Sequence, residues 1–456
     1  MSGSRRGGSH ASRREFLKTG SSALAGAALA ASLANRVHAG EDHTLKVALI
    51  GCGGRGAGAA MQALSTEGPV KLWAMADAFD DRLHTSLEGL EKGLNARYDR
   101  DASNGLGQRI DVPKERQFVG LDAYRKAIDS GVDVVVIAGP PGFRPQHFEY
   151  AVAAGKHVFM EKPLATDAIG VRRVLAAAEE AKRKNLKVGV GLQRHHQASY
   201  QEAIRRIHDG ELGEILSLRC YWNSGPPAKT PFARQDLSEL EYQVRNWYFF
   251  SWLSGDHICE QHIHNLDVCN WIVQAHPLEA EGMGGRQVRT GKEYGDIFDH
   301  HAVEFTYADD VKMFSQCRQT PGCSNRVTEH ARGTSARADL GGGTCSIVRG
   351  GETIWKSQRA RGGKGPNPYQ VEHDVLFDAI RNDKPHNEAE SGAISTMTAI
   401  LGRLATYSGK RITWDDAFES EIKLTTDAER WDAAAPTLAD ERGFYPVAVP
   451  GVARVV

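Results

Sequence analysis

The sequence of 456 residues lacks an excess of either charge, with 56 lysines and arginines against 57 aspartates and glutamates. Proteins that bind nucleic acid present a basic face, so this balance argues against nucleic acid as the main partner. The seven cysteines are odd in number and scattered, without a Cys-x-x-Cys pair, and do not read as a disulfide framework. The 48 glycines follow no three-residue period, which excludes collagen-like and low-complexity proteins.

Long hydrophobic runs are also missing. Beyond residue 39 no segment approaches the ~18 consecutive apolar residues of a membrane-spanning helix. We therefore expect a soluble mature chain with no stable membrane span. With 41% hydrophobic and 25% charged residues the composition is that of a globular protein, and the length suggests two or three domains.

The N-terminus carries the features of an export signal. Residues 12–18 read Ser-Arg-Arg-Glu-Phe-Leu-Lys, a weakly apolar stretch follows over 19–33, and Val37-His38-Ala39 has the small residues of a cleavage site. The paired arginines resemble the twin-arginine signal. The apolar stretch is too short and too rich in alanine and glycine to serve well as a membrane anchor, the alternative reading. We predict a signal peptide at residues 1–39, the twin-arginine export machinery as a partner and a periplasmic protein.

A glycine-rich turn follows the first apolar strand of the mature chain. Leu45–Ile50 reads as a buried strand and runs into Gly-Cys-Gly-Gly-Arg-Gly, after which alanines continue with helical character. This order of strand, turn and helix is the context of a dinucleotide-binding fingerprint. Its first glycine makes the tight turn, its second admits the pyrophosphate and its last lets the helix pack on the strand. The predicted cofactor contacts in the turn are Gly51, Gly53, Gly54, Arg55 and Gly56.

An acid follows the second strand at the spacing of this fingerprint. The strand Val70–Ala76 ends at Asp77, which lies 21 residues after Gly56. An acid there binds the ribose hydroxyls and repels a 2′-phosphate. No arginine follows Asp77 directly, so the sequence favours NAD over NADP as the cofactor.

Strands and helices continue to alternate up to about residue 192. Apolar strands are predicted at 132–137, 157–160 and 187–192, with helices at 144–154 and 168–184. This pattern predicts a doubly wound parallel sheet, whose ligands lie beyond the carboxyl ends of the strands. Asp77, Pro140, Lys162 and Arg194 all fall at such ends.

Four features together resemble the glucose-fructose oxidoreductase / inositol dehydrogenase / MocA (Gfo/Idh/MocA) family. They are the turn Gly51–Gly56, Asp77, the turn Ala138–Pro141 and Glu161-Lys162-Pro163, and the likeness extends over residues 45–414. The resemblance implies a Rossmann domain, here residues 40–165. It also implies an α+β domain at 166–456 with a large, open, mostly antiparallel sheet, which carries one wall of the substrate site and contacts of a homo-oligomer. Further cofactor contacts implied by it are Pro140, Glu161 and Lys162.

The resemblance also implies a catalytic segment. The family pattern Asp-x-Gly-x-His-x-x-Asp corresponds to residues 260–267, where Glu260 replaces the first aspartate and His262 the glycine, while His264 is retained. Oxidation of a carbinol needs a base and a donor for the developing alkoxide. We expect His264 to be the base, with a pKa near neutrality, and Lys162 to be the donor. Glu260, four residues before His264, is expected to orient the imidazole from the same helical face.

Other residues are weaker candidates. His257, Glu260 and His264 have the spacing of one helical face and form a possible metal site that we do not favour, because histidines near sugar sites are common hydrogen-bonding groups. Tentative substrate contacts follow the predicted strand at 187–192 or lie near the catalytic segment, with loop packing as the alternative: Arg194, His195, Arg245, Trp247 and His257.

In the second half, strands are predicted at 215–222, 301–307, 311–317 and 325–332, and helices at 372–381 and 394–407. The loops at 226–239 and 359–368 are long and polar.

The expected function is an exported NAD(P)-dependent oxidoreductase acting on a sugar, polyol or glycoside. An exported enzyme has no pool of soluble NAD, so we expect a tightly bound cofactor, loaded before export. One alternative is a redox-neutral glycoside hydrolase or lyase that works through a transient keto-sugar. Another is a non-catalytic sugar-binding protein on the same fold.

Overall fold

The structure, a computed structural model, describes residues 44–98, 109–227, 229–341, 343–358 and 365–456. The predicted signal at 1–39 lies outside these ranges, as does most of the predicted loop at 359–368. Within the described ranges no helix has the length and apolar character needed to cross a membrane.

The first sheet has six parallel strands. They are β1 (Leu45–Ile50), β2 (Val70–Asp77), β3 (Gln117–Val119), β4 (Val134–Ile137), β5 (His157–Met160) and β6 (Val188–Val190). Their spatial order is β3-β2-β1-β4-β5-β6, the order of a doubly wound dinucleotide-binding sheet. Strand β4 is buried along its whole length, as expected for a strand covered on both faces. The predicted α/β parallel sheet is therefore confirmed.

Six α-helices lie between residues 45 and 214 of the described chain. They are α1 (Gly54–Leu64), α2 (Asp80–Tyr98), α3 (Ala123–Asp129), α4 (Arg144–Ala153), α5 (Ala168–Arg183) and α6 (Ala198–His208). Helix α5 shows how local sequence sets an end: Asp167 accepts a hydrogen bond from the Gly170 amide at 2.7 Å, which caps the helix. Its last turn carries Lys182 and Arg183, which favour the negative end of the helix dipole.

The predicted division of the chain after residue 165 falls too early for this sheet. Strand β6 lies beyond that boundary and pairs with β5 through Val158–Val188 and Met160–Val190. The strands of one sheet share hydrogen bonds and a core, so the first sheet ends at Val190, beyond the predicted boundary at residue 165.

The second sheet has nine strands. They are β7 (Ile215–Ser224), β8 (Glu279–Gly285), β9 (His300–Thr306), β10 (Lys312–Gln319), β11 (Arg326–Gly333), β12 (Arg337–Gly341), β13 (Ser346–Arg349), β14 (Glu352–Lys356) and β15 (Ile412–Thr413). Their order is β14-β13-β12-β11-β7-β10-β9-β8-β15. Strands β7 and β10 pair in parallel, and the other pairs are antiparallel. The predicted large, mostly antiparallel sheet is confirmed, and β9 and β10 form a hairpin.

The remaining α-helices of the described chain follow β7. They are α7 (Glu239–Arg245), α8 (Ser251–Ser254), α9 (His257–Glu260), α10 (Ile263–Val273), α11 (Pro368–Arg381), α12 (Ala389–Ser408) and α13 (Trp414–Phe418). Helix α12 is buried on nearly all sides and contacts β6 of the first sheet and β8 and β9 of the second. Its Arg403 is buried and donates to the carbonyls of Gly255 and Thr166 at 3.1 and 2.7 Å. One apolar core therefore contains side chains from both sheets, such as Val158 and Phe305.

Candidate active site

A cavity of about 720 Å³ lies beyond the carboxyl ends of β1, β2, β4 and β5. The first half of the chain contributes the glycine turn, the end of β2 and the Glu161-Lys162 segment. The opposite wall comes from the second half, through the loop after β7, residues 244–249 and residues 260–261. The position is the one where doubly wound sheets bind their ligands.

The glycines of the turn differ in what surrounds them. A Cβ on Gly51, whose φ is +91°, would lie 2.3 Å from the Gly139 nitrogen, and one on Gly56 would lie 1.9 Å from the Gly51 carbonyl oxygen. At Gly53 and Gly54, which line the cavity, a Cβ would meet no atom within 4 Å. The turn thus needs glycine at two positions for backbone packing, and at Gly53 it leaves open space on the cavity side.

The start of helix α1 completes an anion-binding cradle. The helix begins at Gly54, and no side chain caps the amides of its first turn. Free amides and the positive end of the helix dipole favour a phosphate group. Because open space at Gly53 and free amides coincide at the cavity wall, the residues present fit the pyrophosphate of a dinucleotide.

Asp77 lies at the end of β2 on the cavity wall. Its carboxylate accepts hydrogen bonds from the amides of Cys52 and Phe79 at 2.6 and 2.9 Å, and burial raises its pKa. Arg82, in the first turn of α2, lines the same cavity and was not predicted from the sequence. The sequence interpretation considered the residues directly after Asp77, whereas one turn of helix returns Arg82 to the same wall.

Arg55 and Glu161 form an ion pair across the floor of the cavity. Arg55 Nε lies 2.5 Å from Glu161 Oε1, and its guanidinium lies 4.9 Å from the centre of the Tyr369 ring. Behind the pair, Arg55 Nη2 is 3.6 Å from Glu372 of α11, a buried carboxyl whose two oxygens have no hydrogen-bond partner. Burial and the neighbouring Glu161 raise the pKa of Glu372 well above its usual value. Glu372, remote in sequence, had no signal that could have identified it.

Lys162 and Glu260 are in contact in the cavity, although Lys162 follows a strand of the first sheet and Glu260 lies in the half of the chain that forms the second sheet. Lys162 Nζ donates to the Glu260 carbonyl oxygen at 2.5 Å and to Oε1 at 3.0 Å. Both residues line the cavity, and the bond between Lys162 and Pro163 is cis. The ammonium is therefore held in one place by a carboxylate that itself faces the cavity.

His264 is not brought into this arrangement as the sequence suggested. The residue is 6% exposed, is absent from the cavity lining and packs against Trp222 with ring centres 6.0 Å apart. Its Nδ1 is buried without a hydrogen-bond partner. Burial, with repulsion from Lys162, Arg194 and Arg55, lowers its pKa well below the usual value. The expected pKa near neutrality is wrong, because the site desolvates the imidazole and surrounds it with cations.

The expected helical face of residues 257–264 is interrupted. Helix α9 ends at Glu260 and helix α10 starts at Ile263. Glu260 consequently bonds Lys162, and no hydrogen bond joins it to His264 in the described structure. The possible metal triad of His257, Glu260 and His264 is not assembled for the same reason.

His257 belongs to a different buried cluster with Asp256 and His301, whose ligand atoms are close enough to hold a metal ion. His257 Nδ1 lies 2.9 Å from Asp256 Oδ1, and His301 Nε2 lies 3.3 Å from Asp256 Oδ2. The same carboxylate also accepts from the Phe298 amide at 2.8 Å and the Tyr407 hydroxyl at 2.7 Å. These hydrogen bonds account for the burial of Asp256 without an ion.

The tentative substrate residues divide into two groups. Arg245, Trp247 and the cofactor candidate Pro140 line the cavity, and Arg245 also pairs with Asp81 at 2.8 Å. Arg194, His195 and His257 do not line it. Arg194 is buried and bonds Glu329 and the carbonyl oxygen of His264, and His195 bonds Asp267 at 2.8 Å.

Several cavity residues were missed by the sequence interpretation. Lys229 and Thr230 lie on the long, polar loop at 226–239, in which no individual contact was predicted, and Gln261 lies beside the predicted Glu260. Gln319 of β10 donates to the Tyr248 hydroxyl at 2.6 Å and to Gln261 Oε1 at 2.8 Å, which leaves the amide nitrogen of Gln261 available to the cavity. Such residues are specified by the approach of separate segments, which a single sequence does not reveal.

Two protein-family models match the chain. The oxidoreductase family model with an NAD-binding Rossmann fold matches residues 45–191, and the GFO/IDH/MocA C-terminal domain matches residues 200–337. Together they cover more than half of the sequence in the expected order. The chain belongs to the Gfo/Idh/MocA family.

The curated relatives include an inositol 2-dehydrogenase from Klebsiella pneumoniae (strain 342), 42% identical over 216 residues, which are 46% of this chain and 56% of the relative. Another is an inositol 2-dehydrogenase from Acidiphilium cryptum (strain JF-5), 29% identical over 244 residues, or 52% of this chain and 63% of the relative. The matched part of this chain thus spans less than two thirds of the length of either relative.

Solved structures show the same fold. An aldose-aldose oxidoreductase from Caulobacter crescentus matches with a TM-score of 0.61 at 18% identity, over 81% of this chain and 100% of the other. A levoglucosan dehydrogenase solved with NADH and levoglucosan matches with a TM-score of 0.60 at 17% identity, over 81% and 99% of the two chains. At these identities the likeness shows the fold alone.

Proposed function

We propose that this protein is an exported NAD(P)-dependent oxidoreductase that transfers a hydride between a nicotinamide and a carbinol carbon of a sugar, polyol or glycoside. The observation that carries the proposal is the pairing of Lys162 and Glu260 at 3.0 Å in the cavity that also contains the open glycine turn. A cation and a carboxylate beside a dinucleotide cradle are the groups that carbinol oxidation requires. The membership of the family and the sugar and polyol dehydrogenases among its relatives support this reading.

The residues divide the work of the reaction. When bound, the nicotinamide ring would supply the acceptor for the hydride. The glycine turn and the start of α1 would hold the pyrophosphate, and Asp77 would bind the ribose hydroxyls. Lys162 stabilises the negative charge that develops on the substrate oxygen, and the Glu260 carboxylate accepts the hydroxyl proton. Glu260 takes the place first predicted for His264, because the carboxylate faces the cavity and the imidazole does not.

A tightly held cofactor is part of the proposal. The walls of the cavity come from both halves of the chain, so a bound dinucleotide would lie between them. The C-terminal segment adds support behind the ribose end: Trp431 stacks on Phe79 with ring centres 5.3 Å apart, and Glu429 bonds the Tyr124 hydroxyl at 2.7 Å. Phe79 and Tyr124 both line the cavity. Enclosure favours slow release, which an enzyme outside the cytoplasm requires.

A redox-neutral hydrolase or lyase is the second candidate function. The enclosure of the cofactor site favours it, because a nucleotide that is reduced and reoxidised within one turnover never has to leave. A non-catalytic sugar-binding protein is a poorer fit, since the Lys162–Glu260 pair would then have no role in the cavity.

The test begins with the full chain purified after export. The protein is denatured, and the released nucleotide is identified by mass. The native protein is then incubated with sugars, polyols and glycosides without added nucleotide, while products and the absorbance of bound reduced nicotinamide are followed. The oxidoreductase predicts a keto product and reduced nicotinamide, whereas the redox-neutral enzyme predicts cleaved glycoside and no lasting reduction. A protein without nucleotide that oxidises no substrate even when NAD or NADP is added contradicts both.

Export is tested separately by fractionating cells that express the Arg13→Lys/Arg14→Lys variant. The twin-arginine receptor reads the arginine pair, so this variant should stay inside the cell while the wild type is exported. The Arg5→Lys/Arg6→Lys variant is the matched control and should be exported normally. Equal export of both variants removes the twin-arginine part of the proposal.

A further inference from the structure

Lys229 is a cavity-lining lysine without an acidic partner. It lies on the loop between β7 and α7, and its ammonium is 3.6 Å from the centre of the Trp247 ring and 5.4 Å from that of Tyr248. Among the described residues no carboxylate lies within ion-pair distance of it, and Glu260, which shares the cavity, is bound to Lys162. Aromatic faces stabilise an ammonium only in part when no anion is present.

The cavity has more cations than its acids and a bound cofactor would neutralise. Its lining has more cations than acids: the cations are Arg55, Arg82, Arg144, Lys162, Lys229 and Arg245, and the acids are Asp77, Glu161 and Glu260. Asp81 and Glu372, just outside the lining, lie within ion-pair distance of Arg245 and Arg55, so the lining cations without a carboxylate at that distance among the described residues are Arg82, Arg144 and Lys229. An oxidised nicotinamide dinucleotide carries two negative phosphate charges and one positive ring charge. If its two phosphate charges match two of these three cations, one lining cation is still without an anion.

The position of Lys229 indicates that Lys229 is the cation without an anion, at the end of the cavity that would bind the substrate. The groups that face Lys229 across the cavity are the acid Glu260 and the cations Lys162 and Arg82. Lys229 is an exposed residue, but its ammonium group packs against the aromatic rings. Desolvation there lowers its pKa to about 8, with Lys162 and Arg82 adding repulsion and Glu260 opposing them. An anion bound beside the ammonium would relieve both the desolvation and the repulsion.

We propose that Lys229 binds an anionic group of the substrate, so that the substrate is an acidic sugar, polyol or glycoside that carries a carboxylate or a sulfate. This inference rests on the oxidoreductase function proposed above. Lys229 selects the substrate by charge, Trp247 supports the sugar ring, and Lys162 and Glu260 act on the carbinol. The loop that carries Lys229 is thereby the specificity-determining segment of the site.

The experiment compares pairs of compounds that differ in one anionic group. Glucuronate and glucose 6-sulfate are each compared with glucose, and 4-nitrophenyl glucuronide is compared with 4-nitrophenyl glucoside. Binding to the NAD-loaded enzyme is measured by calorimetry, and reduction of the bound nicotinamide gives kcat/KM. The variants are Lys229→Met, the charge-conserving Lys229→Arg, and Lys356→Met, which removes an exposed lysine at the far edge of the second sheet.

The expected result is a preference for at least one acidic member of about tenfold or more, the range of a charge-assisted hydrogen bond. Lys229→Met should abolish this preference, while Lys229→Arg and Lys356→Met keep it. Equal binding within all pairs, or binding of no acidic member, overturns the proposal. A Lys229→Met variant that loses affinity for NAD and not for the acid also overturns it, because Lys229 would then face the pyrophosphate.

These outcomes separate the two proposals. If the acidic compounds bind through Lys229 but reduce no nicotinamide, the oxidoreductase function fails and the anion site stands. If neutral sugars reduce the bound nicotinamide as readily as acidic ones, the function stands and the anion site fails.

Discussion

The ammonium of Lys162 lies 3.0 Å from the carboxylate of Glu260, and the two residues come from opposite walls of one cavity. Lys162 follows the parallel strand β5, and Glu260 ends the short helix α9. Both side chains are largely buried, so the interaction is stronger than that of a surface ion pair. The pair couples the placement of the second half of the chain to the chemistry at the end of the first sheet.

The carboxylate of Glu260 is predicted to be essential for turnover. Glu260→Gln keeps a hydrogen-bond acceptor for Lys162 but removes the proton acceptor, so kcat should fall by roughly 10²–10⁴ while the amount of bound nucleotide is unchanged. Single-turnover reduction of the bound nicotinamide measures the effect. Glu281→Gln, which changes an exposed acid of β8, is the control and should behave as the wild type. A kcat for Glu260→Gln within a few fold of the wild type would show that another group accepts the proton.

Alanine substitutions at two glycines of the turn are predicted to have different effects, one on NAD binding and the other on stability. At Gly53 an added Cβ meets no protein atom, so Gly53→Ala should keep the thermal stability and weaken NAD binding about tenfold or more, because the methyl enters the space of the pyrophosphate. At Gly56 the Cβ would lie 1.9 Å from the Gly51 carbonyl oxygen, so Gly56→Ala should lower Tm even without nucleotide. Calorimetry and thermal denaturation of the two variants are the measurements. The same loss of stability in both would contradict the assignment of Gly53 to the ligand.

Most strands of the first sheet, the glycine turn and four strands of the second sheet could be predicted because their signals are local, whereas the large antiparallel form of the second sheet was implied by the family resemblance. Buried runs such as Val134–Ile137 and the alternation along Lys312–Gln319 depend on neighbouring residues alone. The break between Glu260 and Ile263 could not be predicted, since residues 257–267 contain neither glycine nor proline. In the structure Asp256, at a φ of +69°, anchors this segment through hydrogen bonds to residues distant in sequence. That tertiary anchor separates His264 from Glu260, and the same kind of long-range placement brings Lys229 to the cavity.

The opposing charges at the ribose end are predicted to set cofactor preference. Asp77→Asn keeps an acceptor for only one of the two amides of Cys52 and Phe79, which donate to different carboxylate oxygens, and it loses the charge that repels a 2′-phosphate, so the preference for NAD over NADP should fall about tenfold. Arg82→Met should change the ratio in the opposite direction, because Arg82 is the cation on the same wall. Calorimetric titration with each nucleotide checks both. An unaltered ratio in Asp77→Asn would show that the carboxylate serves only the turn.

Stability is predicted to decline in mild acid because several buried histidines are neutral in the folded protein. Burial lowers the pKa of His147 to about 3, that of His257 to about 4 and that of His373 to about 3. In the unfolded chain these groups titrate near 6.5, so between about pH 4 and 6.5 the unfolded state binds more protons and the free energy of unfolding falls as the pH falls. Each such histidine contributes a slope of up to ~1.4 kcal/mol per pH unit.

Denaturant unfolding of the protein at a series of pH values measures this slope. His147→Gln should reduce it by about one proton, whereas His84→Gln, which changes an exposed histidine, should leave it unchanged. A free energy of unfolding that stays constant from pH 7 to 5 would contradict the neutral burial of these residues.

The C-terminal segment is predicted to slow the release of the cofactor. Trp431 stacks on Phe79 at 5.3 Å, and Phe79 borders the cavity next to Asp77. An aromatic pair contributes about 0.5–1.5 kcal/mol beyond area burial, so Trp431→Ala should speed dissociation of reduced nicotinamide dinucleotide by about two- to tenfold. The dissociation rate is measured from the loss of the fluorescence of the bound reduced nucleotide after the protein is mixed with an excess of a non-fluorescent competing nucleotide. Trp355→Ala, on β14 and absent from the cavity lining, is the matched control. If both variants release the nucleotide at the wild-type rate, enclosure by the two halves of the chain suffices and the C-terminal segment has no part in retention.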